Sequence, residues 1–138
     1  MTTNFFLDTN ILLYSISRDP AEVAKRARAE EILERMDCAL SVQVLQEFYV
    51  QATRASRANS LTHDDAVDLI ETWQRFEVQE MTVAVLSRAL SIKAAHGFSY
   101  WDSAIIAAAQ ALGCRELYTE DLSHGQVVDG VTIINPFR

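Results

Sequence analysis

Short apolar runs alternate with amphipathic stretches along the whole of this 138-residue chain, and few architectures accept that order. Residues 4–7 form an apolar run that stops at Asp8-Thr9-Asn10, which reads as a buried strand delivering polar groups at its carboxyl end. Residues 38–42, 78–81, 116–119 and 131–134 read as four further strands, and Pro136 keeps the chain from continuing as a central strand. Helices are predicted between them. One begins near residue 11 and another spans 21–36, with Ala29, Ile32, Leu33 and Met36 on one face. A third follows Ser41 and carries Leu45, Phe48, Tyr49 and Ala52, and a fourth follows Thr62 with Ala66, Leu69, Ile70 and Trp73. The last two run over 83–95 and 100–112 and stop at Gly97 and Gly113. Strands alternating with helices predict a parallel sheet covered on both faces, with any ligand beyond the carboxyl ends of the strands.

The length suits one domain, residues 1–138, with a single core. Cys38 and Cys114 stand alone, without the close spacing of a zinc or redox motif, and a reducing cytoplasm suits them. The longest apolar run, residues 104–109, falls far short of the roughly 20 residues a membrane span needs. The start of the chain carries no basic residue ahead of an apolar stretch, so the expectation is a soluble cytoplasmic protein that binds no membrane. A net charge of −7 has the wrong sign for gripping nucleic acid electrostatically. Acids converging on one site with divalent cations would reverse that sign locally.

Four acids stand where such a site would form. Asp8 follows the first strand, Glu47 lies on the helix after the second, Asp102 interrupts the otherwise apolar SYWDSAIIAAAQAL, and Asp121 follows LYTE. Each has an ordinary explanation: Asp8 as a turn or helix cap, Asp102 as part of a capping box begun by Ser99, Glu47 as a solvated helix residue, and Glu120 and Asp121 as loop acids. Spacing does not decide which of Glu120 and Asp121 points inward. Together, however, all four are predicted at one rim of the sheet, and clustered carboxylates repel one another unless a cation compensates them. Carboxylate oxygens with only scattered histidines, His63, His96 and His124, favour magnesium or manganese over zinc.

The segments FFLDTNILLY, SVQVLQEFYV, SYWDSAIIAAA and LYTEDLSHGQ resemble, in order and separation, the PIN-domain family and within it the VapC-like toxins. The resemblance implies a three-layer α/β/α sandwich around a five-stranded parallel sheet. It also implies magnesium- or manganese-dependent endoribonuclease activity on an RNA substrate, homodimerisation, and inhibition by a cognate VapB-like antitoxin. Carried over by motif, Asp8, Glu47, Asp102 and Asp121 are the catalytic metal ligands, with Asn10, Ser41 and Thr119 as polar supports. Arg54 and Arg57 are candidate RNA contacts, against the alternative of a solvated basic face. Tyr100 and Trp101 are candidates for stacking on bases, although core packing is the expectation for them at the start of a buried helix. Three rivals remain: a receiver-like phosphoacceptor domain, which needs a lysine across the pocket, a phosphatase-like domain, and a PIN fold that binds without efficient catalysis.

Overall fold

The structure, a computed structural model, describes residues 4–138. Its strands are β1 (Phe5–Leu7), β2 (Cys38–Ser41), β3 (Glu77–Gln79), β4 (Glu116–Tyr118), β5 (Val127–Val128) and β6 (Val131–Ile134). Its helices are α1 (Thr9–Ser15), α2 (Val23–Leu33), α3 (Val42–Ala52), α4 (His63–Trp73), α5 (Val83–His96) and α6 (Tyr100–Ala111). The sheet order is β3-β2-β1-β4-β6-β5, and every pairing is parallel except β5 with β6. The result is the expected three-layer α/β/α arrangement.

The sheet has six strands rather than five, and it is not wholly parallel. The sixth strand comes from Val128-Asp129-Gly130-Val131, where Asp129 (φ 47°) and Gly130 (φ 88°) take the two positive φ values of a tight two-residue hairpin. An Asp-Gly pair between apolar residues is itself a hairpin signal, and it adds a short antiparallel strand at the edge. The helix expected over 21–36 is also shorter. Asp19 caps a 3-10 turn at Pro20–Glu22, accepting from the Ala21 amide at 2.9 Å, before α2 begins. α2 ends at Leu33, so Met36 is exposed rather than on its core face. β3 lies slightly earlier than predicted, because Thr82 accepts from the Val85 amide and commits that segment to α5.

The core is built from β1, the buried β2 and a helix covered almost all round: Ser103 to Ala109 of α6 are all buried. Small residues there let α6 approach the sheet closely, and α5 packs along it. Gly97 ends α5 in the left-handed conformation (φ 76°), which lets the chain reverse into α6. Both cysteines are buried and free. Among the described residues, no helix is long and apolar enough to cross a membrane.

The chain order positions the site. From β1 the strands step outward through β2 to β3, and the chain then returns past α5 and α6 to lay β4 on the other side of β1. The order therefore reverses between β1 and β4. Loops leaving the carboxyl ends of two such strands diverge to opposite sides and leave a crevice between them.

Candidate active site

Asp8 sits at the mouth of that crevice, between the end of β1 and the start of α1. It is the N-cap of α1, and its Oδ1 accepts from the Thr9 amide at 2.7 Å. Its Oδ2 accepts from the Thr119 hydroxyl at 2.8 Å, just beyond the end of β4. The ordinary explanation of Asp8 as a cap is thus correct, but incomplete. The side chain is buried, and burial pushes its pKa from 3.8 up to about 7, with the nearby Asp121 and Glu47 charges adding to the rise and the two hydrogen bonds opposing it.

The other acids arrive from three further elements. Glu47 is on α3, whose N-terminus follows directly from β2, and its Oε1 accepts from the Thr9 hydroxyl at 3.0 Å. Asp102 lies in the first turn of α6, where the Ser99 hydroxyl caps its amide at 3.1 Å. Asp121 follows β4, and its Oδ2 accepts from Asn10 Nδ2 at 3.1 Å. Burial raises the pKa of Glu47 and of Asp102, and the charge of Asp121 raises both further. Asp121 is thus felt by all three of its partners. A single cavity of about 120 Å³ is bordered by Asp8, Asn10, Glu47, Asp102 and Asp121.

Glu120 goes elsewhere. It accepts a short hydrogen bond from the Tyr14 hydroxyl and forms an ion pair with Lys25 at 3.0 Å. The geometry thus separates the two adjacent acids, one turned to α1 and α2, the other to the cavity.

Among the described residues, no three His, Cys, Asp or Glu side chains form a ready-made metal cage. The carboxylate oxygens of Asp8, Glu47 and Asp121 are turned instead onto Thr9, Thr119 and Asn10. The donor set nevertheless fits a hard divalent cation. Four carboxylates face one small space, no Lys or Arg lines it, and the buried Asn10 Oδ1 beside them has no hydrogen-bond donor. A cation there, or water held by one, would satisfy that oxygen and offset the burial and mutual repulsion that raise the pKa values of Asp8, Glu47 and Asp102.

The supporting residues divide. Thr119 is fully buried and joins the site: besides donating to Asp8, its oxygen accepts from Asn10 Nδ2 (3.3 Å) and from the Asp121 amide (3.1 Å). Ser41 does not reach the cavity; it caps α3 by accepting from the Val44 amide at 3.2 Å. Arg54 borders a groove shared with Glu47, whereas Arg57 lies in a different depression, with Arg18 and Asp19. Trp101 overturns the expectation of core packing. It is 60% exposed and borders the acidic cavity, while Tyr100 is half-buried against the core. Sequence reasoning passed over Thr9 and Gln51, which also line the cavity; the position of Thr9 next to Asp8 was the available signal. A receiver-like pocket is excluded by position, since Lys25 pairs with Glu120 and Lys93 lies in the last turn of α5.

The fold is similar to that of a chain in a toxin-antitoxin complex from Klebsiella pneumoniae, at 20% identity and a TM-score of 0.72, over 96% of this chain and 98% of that one. It is similar to a chain of DNA-bound VapBC from Salmonella typhimurium, at 22% identity and a TM-score of 0.66, over 96% and 97%. It also resembles VapC20 of Mycobacterium tuberculosis, described as a sarcin-ricin-loop-cleaving toxin, at 17% identity and a TM-score of 0.66, over 86% and 92%. No individual curated protein matches the chain in sequence. The PIN domain family model matches residues 5–129, which takes in all four acids that converge beyond β1 and β4, and the chain belongs to the PIN domain family.

Proposed function

We propose that this protein is a divalent-metal-dependent endoribonuclease and the toxin half of a VapBC-like toxin–antitoxin pair. The observation that carries the proposal is the meeting of four carboxylates, from four separate elements, around one small cavity at the switch point of the sheet. Stability alone gives no reason to gather them there.

Asp8, Glu47, Asp102 and Asp121 would hold magnesium or manganese. When bound, the cation supplies an activated water and neutralises charge on the scissile phosphate. The chain's own residues set the geometry. Thr119 and the Thr9 amide hold the two oxygens of Asp8, the Thr9 hydroxyl steadies Glu47, and Asn10 steers Asp121. Burial of Asp8 and the half-burial of Glu47 and Asp102 limit water around the site, which strengthens every charge interaction within it. A cation confined to this cavity would let a protein of net charge −7 attract a phosphodiester.

The proposal extends to partners. The Klebsiella and Salmonella relatives carry toxin–antitoxin names, which supports a VapB-like antitoxin as the protein partner. An apolar groove of about 770 Å³ bordered by Val42, Leu45, Ile70, Phe76 and Val78 offers it a seat. Exposed Val83, Leu86 and Leu90 on α5 support a homodimer. The buried free cysteines suit a cytoplasmic setting.

Incubation of purified protein with total RNA, with magnesium or with EDTA, tests the activity. Cleavage is expected with magnesium only, and is expected to be lost in Asp102→Asn while the urea unfolding midpoint is kept. Equal cleavage by Asp102→Asn, or cleavage undiminished by EDTA, sinks the mechanism.

A further inference from the structure

Next to the acidic cavity lies a second depression, of about 300 Å³, bordered by Gln43, Gln46, Glu47, Gln51, Arg54 and Trp101. Glu47, Gln51 and Trp101 border both spaces, so the groove opens beside the carboxylates. Its chemistry differs from theirs. Trp101 presents a 60% exposed indole at the groove, and Tyr100 supports that ring in a T-shaped contact at 5.0 Å. Arg54 is exposed, forms no salt bridge among the described residues, and is the only cation in the groove.

Gln43 ties the two sides together. Its Nε2 donates to the Trp101 carbonyl at 3.2 Å, fixing the start of α6 against α3. A carbonyl only accepts, so the amide's oxygen must be the other atom, and that Oε1 is buried without a donor. A flat aromatic face and a free cation, beside a site for a phosphodiester, match one nucleotide: a base for the indole and a phosphate for the guanidinium.

We propose that this groove is a nucleotide subsite, in which Trp101 stacks on one unstacked base of single-stranded RNA and Arg54 pairs with the adjoining phosphate. The inference rests on the ribonuclease reading above and gives it a substrate class. A base is free to stack on an indole only where it is not already stacked in a duplex, so the substrate is a loop or single strand. Arg54 would then hold the backbone beside the stacked base, next to the carboxylates that share this wall of the groove.

The protein has 2 tryptophans, and Trp73 is buried, so Trp73→Phe leaves Trp101 as the sole emitter. In a Trp73→Phe, Asp8→Asn background with magnesium, a single-stranded RNA octamer is expected to quench Trp101 emission saturably, and the same sequence as a duplex is not. In the otherwise native protein, Trp101→Ala is expected to raise KM for the octamer about 10- to 100-fold with kcat little changed, as loss of one stacked base does elsewhere. Trp101→Phe recovers most of that loss, and Arg54→Ala raises KM while lowering its salt dependence. An unaltered KM in Trp101→Ala, or emission that ignores the octamer, overturns the subsite and leaves the ribonuclease reading standing. Quenching by an amphipathic helical peptide but not by RNA also overturns it, and assigns the groove to a protein partner. Wild-type protein that leaves the octamer whole overturns both.

Discussion

Asp8→Asn separates the cost of the site from its chemistry. In the folded protein burial holds the Asp8 pKa at about 7, against 3.8 for an unperturbed aspartate. Between those values the folded state keeps a proton that the unfolded chain has released, so stability falls as pH rises through the window. At pH 8 ionised Asp8 costs the metal-free fold about 4 kcal/mol, and at pH 5, where the folded carboxyl keeps its proton, holding that proton costs only about 2 kcal/mol. The asparagine removes this cost at both values. It loses something too: both oxygens of Asp8 accept hydrogen bonds, from Thr9 and Thr119, and an amide can accept with only one. One lost bond costs about 1–2 kcal/mol at any pH. In EDTA the variant is therefore expected to match the wild type at pH 5 and to exceed it by about 2–3 kcal/mol at pH 8. For a chain of this size the widening corresponds to about 10 °C in Tm. Thermal and urea unfolding of both proteins at the two pH values measure it. Parallel stability curves, with the two proteins differing by the same amount at pH 5 and pH 8, would refute the claim that Asp8 holds a buried charge under strain.

The same site makes three further predictions. Magnesium at about 100 times its Kd is expected to stabilise the wild type by about 3 kcal/mol and Asp8→Asn far less, read as Tm with and without metal. Asp121→Asn is expected to abolish RNA cleavage, whereas Glu120→Gln, which disturbs only the contacts with Lys25 and Tyr14, keeps it; the reverse result would exchange their roles. Ser41→Ala removes the α3 cap and is expected to cost about 1–2 kcal/mol in urea unfolding while leaving kcat unchanged.

Much of this arrangement is legible in the sequence, for identifiable reasons. Apolar runs ending abruptly at Asp8 and near Asp121 marked strand ends, and the all-round apolar surface of α6 marked Asp102 as a charge in an unlikely place. Glu47 was different. Nothing in its immediate surroundings sets it apart from other helix glutamates, and only the family pattern and then its cavity did so. The choice between Glu120 and Asp121 depended on Tyr14 and Lys25, far away in sequence, which periodicity cannot bring together. Trp101 departs from the core-packing expectation because α6 is buried from Ser103 onward, whereas its first turn emerges at the rim where the groove lies. Ser41 was correctly placed before a helix, but its hydroxyl is consumed by that helix and never reaches the acids.

The position of β1 also bears on how the protein is made. This strand begins at Phe5, yet its two neighbours are β2, starting at Cys38, and β4, starting at Glu116. A ribosome must therefore deliver the chain through residue 121 before β1 is flanked on both sides and Asp121 can join Asp8. Until then a growing chain carries a half-assembled, inert centre with apolar edges uncovered. Translation itself thus sets an interval during which the four acids exist on the chain but do not yet share one cavity.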